Sequence, residues 1–133
     1  MYLIFDTETT GLPKKFKAPI SDLDNWPRCV QIAWQLHDYD GSLIEHDDYL
    51  IIPDGYEIPY QSEKIHGIST ALALEKGKSL EDVLNIFKQV LSKTSVLVGQ
   101  NLKFDLNIIG SEFHRLGYDN QWLNLPVLDL SLI

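Results

Sequence analysis

Asp6 and Glu8 stand one residue apart, just after a short apolar run from Tyr2 to Phe5. Successive side chains on a strand point to opposite faces, so a strand here sets the two carboxylates side by side and turns Thr7 away. Adjacent carboxylates repel, and burying them unpaired is costly. A divalent cation removes the repulsion and makes the pair a hard oxygen site suited to Mg²⁺ or Mn²⁺. The plainer alternative is a pair of solvated surface acids, since Asp-x-Glu is a common tripeptide. The apolar run weighs against it, because the end of a core strand is an expected place for a site. Gly11 then frees the backbone for a tight turn or for close approach of a ligand.

A third acid, Asp105, closes the segment Asn101-Leu102-Lys103-Phe104-Asp105. Leu102, Leu106, Ile109, Phe113 and Leu116 recur at helical spacing, which predicts a helix from about Asn101 to Gly117. Asp105 then sits near its first turn, beside the core stripe, where it can reach a neighbouring strand end. The alternative makes Asn101 an N-cap and Asp105 a surface acid favoured by the helix dipole. Ile65-His66-Gly67-Ile68-Ser69 places a histidine between two short helical pieces, a setting where the residue is ordinarily structural or solvated. Lys14, Lys15 and Lys17 follow the acidic pair, as candidate phosphate contacts or as a solvated loop.

The elements that must position these groups are legible in outline. Tyr2 to Phe5 reads as a strand buried on both faces. Val30, Ile32, Trp34 and Leu36 alternate as a half-buried strand requires. Asp40-Gly41 signals a hairpin, and Leu43 to Ile52 the returning strand, so the first three strands form an antiparallel meander. Ser79-Leu80-Glu81-Asp82 resembles a capping box. The stripe Leu80, Val83, Leu84, Phe87 and Leu91 behind it is an amphipathic helix without assigned chemistry. Ser95 to Val98 is a short buried strand closed by Gly99, and a helix feeding it implies a parallel neighbour. Val127 to Leu130 is the last strand. The order predicts an α/β fold: a mixed five-stranded sheet, antiparallel on one side and parallel on the other, flanked by helices.

A chain of 133 residues, 44% of them hydrophobic, is long enough for one domain with a real core. No apolar run approaches the ~20 residues that span a bilayer, so no membrane partner is expected. The single cysteine, Cys29, rules out an intramolecular disulfide and agrees with a reducing cytoplasm. A net charge of −8 argues against gripping a nucleic-acid backbone by bulk positive charge. It leaves open an enzyme that holds phosphates through bound metals.

The residues from Asp6 to Leu12, Asp-Thr-Glu-Thr-Thr-Gly-Leu, resemble the first motif of the DEDD, or DnaQ-like, 3′-5′ exonucleases, which include the proofreading epsilon subunit of bacterial DNA polymerase III. Asn101 to Asp105 is similar to their second motif, Asn-x-x-Phe-Asp, and Ile65 to Ser69 to a His-Gly-Ile loop between the two. The resemblance implies an RNase H-like fold and metal-dependent release of nucleoside 5′-monophosphates, in proofreading or repair. It implies two divalent ions, Mg²⁺ or Mn²⁺, with Asp6 bridging both, Glu8 on one and Asp105 helping to hold the second. It further implies that Thr9, Leu12, His66, Asn101 and Phe104 contact the substrate, with Leu12 wedged between terminal bases. On the residues alone, Leu12 equally anchors its turn and Phe104 equally packs in the core. The implied partners are a single-stranded or frayed 3′ end of DNA or RNA, and a DNA polymerase subunit. The family's third motif, with a fourth acid and a histidine base, has no match here. Asp129 resembles an acid of the preceding strand. Residues 1–133 are therefore expected to be the N-terminal portion of a longer exonuclease domain, weak or inactive alone. The rival expectation is a non-catalytic RNase H-like module that binds nucleic acid or a polymerase.

Overall fold

In a computed structural model describing residues 1–132, the alternating segment forms β2 (Cys29–His37), with Val30, Ile32, Trp34 and Leu36 all buried. It lies between β1 (Tyr2–Thr9) and β3 (Leu43–Leu50), antiparallel to both. On the other side of β1 run β4 (Val96–Gly99) and then β5 (Val127–Asp129), each parallel to its neighbour. The sheet order β3-β2-β1-β4-β5 puts β1 at the centre, as the RNase H-like expectation requires. The helices are α1 (Tyr60–His66), α2 (Thr70–Lys76), α3 (Leu80–Leu91) and α4 (Leu102–Arg115). None of them is long and apolar enough to cross a membrane.

β1 departs from expectation in two ways. It continues to Thr9, so the acidic pair lies within the strand rather than after it. It is also not buried on both faces. Leu3 and Phe5 are buried in the main core, whereas Ile4, on the side of Asp6, is 37% exposed. A parallel neighbour suggests cover on both faces. Here α3 and α4 pack on the Leu3 and Phe5 face, and the acids keep access to solvent.

Phe87 of α3 is the hub of that packing. Its ring lies 5.4 Å from Phe5, 5.5 Å from Trp34 and 6.1 Å from Trp122. Ser79 Oγ accepts the amide of Asp82 and caps α3 as the sequence suggests. Phe87→Ala is expected to cost about 3–5 kcal/mol, because a fully buried ring leaves a cavity between three aromatic neighbours. Urea denaturation checks this, and a loss below about 1 kcal/mol would mean the site collapses without penalty.

The start of α4 is fastened from outside the helix. Asn101 takes a left-handed conformation, φ 52°, and its side chain makes no cap. Instead the carboxylate of Asp129, at the end of β5, accepts the amides of Asn101 and Leu102 at 3.0 and 3.1 Å. Gly99 packs closely under the start of the helix, where a Cβ would stand 2.7 Å from Leu102 Cδ1. The far end of α4 carries a buried ion cluster. Glu112, fully buried, accepts from Arg28 Nε at 3.1 Å and from the amide of Cys29 at 2.9 Å. Arg115 Nε pairs with the same carboxylate at 2.9 Å, off the hydrogen-bond line. Arg115 Nη2 also donates to the carbonyls of Leu23 and Trp26. This cluster ties the long loop before β2 onto α4. Removing one partner of such a buried set costs roughly 3–5 kcal/mol, because the other charge is left uncompensated.

Candidate active site

Asp6 and Glu8 share one face of β1, with Asp6 exposed and Glu8 half-buried. Thr7 points to the opposite, buried face. There it meets Asp105, which α4 delivers at 4% exposure. Asp105 Oδ1 accepts from the Thr7 hydroxyl at 2.5 Å and from the Thr7 amide at 3.1 Å. Asp6 Oδ1 accepts from that same amide at 3.0 Å. One N–H is thus shared between an acid of the opening strand and an acid of the late helix. The residue that the strand alternation turns away from the pair is the one that ties α4 to it.

The electrostatics follow from this packing. The Asp105 carboxyl is pushed up from 3.8 to about 7, chiefly by burial and further by the charges of Asp6 and Glu8, with the Thr7 hydrogen bonds opposing. None of the three acids belongs to an ion pair among the described residues. Carboxylate oxygens without a cationic partner are the kind of donor that a hard divalent cation takes. Among the described residues, however, no three His, Cys, Asp or Glu side chains are close enough together to form a cage by themselves. A cation here would draw part of its coordination from water or from substrate phosphate, as Mg²⁺ commonly does.

Beyond Glu8 the strand bulges, and the chain turns through Thr9, Thr10 and Gly11. A bulge re-aims the side chains that follow it. The turn is held from three directions. The Thr10 amide donates to the Arg28 carbonyl and its hydroxyl accepts the Arg28 amide, both at 3.0 Å. Ser62 Oγ donates to the Thr10 carbonyl at 2.7 Å. The Ile68 amide donates to His66 Nδ1 at 3.1 Å, which puts the ring proton on Nε2, 3.2 Å from the Thr9 carbonyl. Both ring nitrogens of His66 are therefore engaged in positioning, and neither is free as a base. Gly11, at φ 153°, has nothing within 4 Å of where a Cβ would stand, so glycine is needed there for its backbone angle.

A cavity of about 250 Å³ opens over this turn, lined by Glu8, Thr9, Leu12, His66 and Phe104 among others. Leu12 is 75% exposed at its rim, which overturns the alternative that it anchors the turn. Phe104 is half-buried and does two things at once, packing on the core and lining the cavity. Asn101 is not in this cavity; it lines an adjoining one with Lys17. Lys14 and Lys15 are exposed in the loop. Sequence reasoning noted Asp129 without its hold on α4, and overlooked Ser62, which holds the turn in place. It also overlooked the Glu112 cluster. Cys29 is buried, and its thiol is pushed up by burial and by Glu112.

Comparison with known proteins bears on the family and the fold. No curated protein sequence matches the chain. Among solved structures it is similar to Escherichia coli exonuclease I in complex with a dT13 oligonucleotide, at 25% identity and a TM-score of 0.79 over 97% of this chain and 27% of that one. The complex of the same enzyme with a dA16 oligonucleotide matches at 25% identity and a TM-score of 0.79, over 97% of this chain and 28% of that one. A zinc-bound form of an exonuclease I complex with single-stranded DNA gives 25% identity and a TM-score of 0.78, over 97% and 27%. The chain thus spans little more than a quarter of the length of these solved relatives. A family model described as Exonuclease (RNase_T) matches residues 3–130, so the chain belongs to that exonuclease family.

Proposed function

We propose that Asp6, Glu8 and Asp105 are the carboxylate side of a 3′-5′ exonuclease site that removes nucleoside 5′-monophosphates from a single-stranded or frayed 3′ end. The observation that carries this is the shared Thr7 amide, which holds Asp6 and Asp105 together beside a cavity rimmed by an exposed leucine. The reading calls for two divalent ions, Mg²⁺ or Mn²⁺, since such ions lower the pKa of water and offset charge on phosphate oxygens. Asp6, Glu8 and Asp105 would hold them.

The remaining roles belong to the chain itself. The braced Thr9–Gly11 turn presents backbone polar groups to the terminal nucleotide. Leu12 inserts against its base, and Phe104 offers a flat apolar wall. An unpaired end enters such a cavity most easily, since less unstacking is needed. The solved relatives named above hold single-stranded oligonucleotides, which supports the substrate class. Proofreading or repair of DNA, and a polymerase subunit as partner, rest on the resemblance to epsilon-type subunits.

Incubation with Mn²⁺ and a single strand labelled at either end tests the proposal. A 3′ label is expected to leave first, as a mononucleotide, and a strand shortened from its 5′ end would contradict the reading. Two divalent ions ask for about four carboxylates, and three are assigned here, so the 133-residue chain alone is expected to turn over slowly. The want of a closed three-ligand cage among the described residues favours one rival, a nucleic-acid- or polymerase-binding module of the same fold. That rival predicts strand binding that neither Mn²⁺ nor loss of Asp6 changes.

A further inference from the structure

We propose that the outer edge of β3 docks an extended, basic segment of another protein, which adds to the sheet as a further strand beside Glu45, Asp47 and Asp48. β3 stands at the end of the sheet order and pairs with β2 alone. The chain itself shows that this edge accepts a strand. Just past β3, the Lys78 amide donates to the Leu50 carbonyl at 2.9 Å, and the Ile52 amide donates to the Lys78 carbonyl at 2.8 Å. The Ile51 amide turns the other way, to the Val30 carbonyl at 2.9 Å. This addition is a single bridge, because α2 ends at Lys76 and α3 begins at Leu80. Backbone alternation carries the outward direction back along β3 to Asp48 and His46. There the edge is open. Among the described residues the His46 backbone finds no outer partner, and the Asp48 amide is met by the carboxylate of Asp47 at 2.9 Å.

The faces of the strand are bare as well. Glu45 and Asp47 pair with Leu36 and Trp34, so they lie on the face that the helices cover. α3 does not reach over them. A cavity of about 350 Å³ separates them from Ile86, Val90 and Lys93, with Trp34 in its lining. Lys93 crosses its mouth to Glu45 at 3.5 Å, between two largely exposed side chains. Asp47 and Asp48 belong to no ion pair among the described residues. On the other face Asp48 and His46 line a second cavity, of about 340 Å³.

Charge selects the occupant. Acids on an edge strand are also a device that keeps sheets from sticking together. A second copy paired edge to edge would bring the two sets of carboxylates together, which is destabilising. Nucleic acid is repelled for the same reason. A strand with arginine at alternate positions sets its guanidinium groups against Glu45 and Asp47, with their stems along the apolar wall of Ile86 and Val90. Main-chain hydrogen bonds then supply affinity, and the alternate side chains supply selectivity. A net charge of −8 draws such a segment in from a distance.

The probe is the capped, fluorescent hexapeptide Arg-Val-Arg-Val-Arg-Val, titrated by anisotropy at about 0.15 M salt. Its control is Arg-Arg-Arg-Val-Val-Val, with the same charge and no alternation. The alternating peptide is expected to bind at least about tenfold more tightly than the control. Asp47→Lys combined with Asp48→Lys should weaken it about tenfold or more, and Asp48→Lys alone should weaken it in part. Both positions are exposed, and circular dichroism confirms that the variants fold. Hydrogen exchange of the His46 amide should slow in the peptide complex. No binding of the alternating peptide overturns the proposal. So does equal binding of the two peptides, a double variant that binds as wild type does, or a His46 amide unchanged by the peptide. A free protein that sediments as a dimer with its His46 amide already protected assigns the edge to a second copy and overturns it too.

Discussion

Asp6→Ala is expected to lower exonuclease turnover by about 10³-fold or more, while Lys15→Ala changes it less than about three-fold. Asp6 lies on the open face of β1 and shares the Thr7 amide with Asp105, so its removal takes away a proposed ligand and the partner of that arrangement together. A loss of several kcal/mol of charge stabilisation on a transferring phosphoryl group is worth about a factor of ten for each 1.4 kcal/mol. Lys15 is exposed, and its backbone rather than its ammonium group is held by Asn25. Initial rates on a 3′-labelled strand with Mn²⁺ measure both variants. Equal losses would show that Asp6 does not sit at the reacting phosphate.

Asp105→Asn is expected to do opposite things to activity and to stability. Turnover should fall by about 10²-fold or more, because a proposed ligand oxygen and its charge are lost. Stability of the metal-free protein at pH 8 should rise. The Asp105 carboxyl titrates near 7 in the folded protein against an ordinary value of 3.8. The folded state therefore holds a proton that the unfolded state has already released, and stability falls as pH climbs from about 4 to about 7. Each unit of displacement is worth about 1.4 kcal/mol, so the strain above pH 7 is on the order of 4 kcal/mol. Asparagine keeps an oxygen for the Thr7 hydroxyl and amide and carries no charge. Denaturation of both proteins at pH 8 and pH 4 provides the measurement. A clear gain at pH 8 that vanishes at pH 4 is expected, together with stabilisation of the wild type by Mn²⁺ at pH 8. A variant less stable than wild type at pH 8 would mean that the Asp105 charge is already neutralised by something else.

The local patterns of the chain survive folding well. Alternation from Val30 to Leu36 became β2, and the Leu80-to-Leu91 stripe became α3 with Ser79 as its cap. The order of elements led to a mixed sheet with the acid-bearing strand at its centre. What escaped depends on partners far apart in sequence. Nothing near Asn101 indicates that its amide is capped by Asp129, 28 positions on. Glu112 and Arg115 look like a surface pair on a helix, and only the distant Arg28 shows why the carboxylate is buried. The partner of Thr7 escaped for the same reason. Strand alternation assigns it correctly to the other face, and what waits on that face is 98 positions away.

The fastening of α4 by Asp129 bears on how the protein is born. During synthesis the acidic strand emerges first and α4 well before β5, yet the amides at the helix's opening turn have no carboxylate to receive them until Asp129 clears the ribosome. A nascent chain shorter than that carries all three acids without the clasp that sets Asp105 in place. The proposed site is thus completed only once β5 has followed the other four strands out of the ribosome.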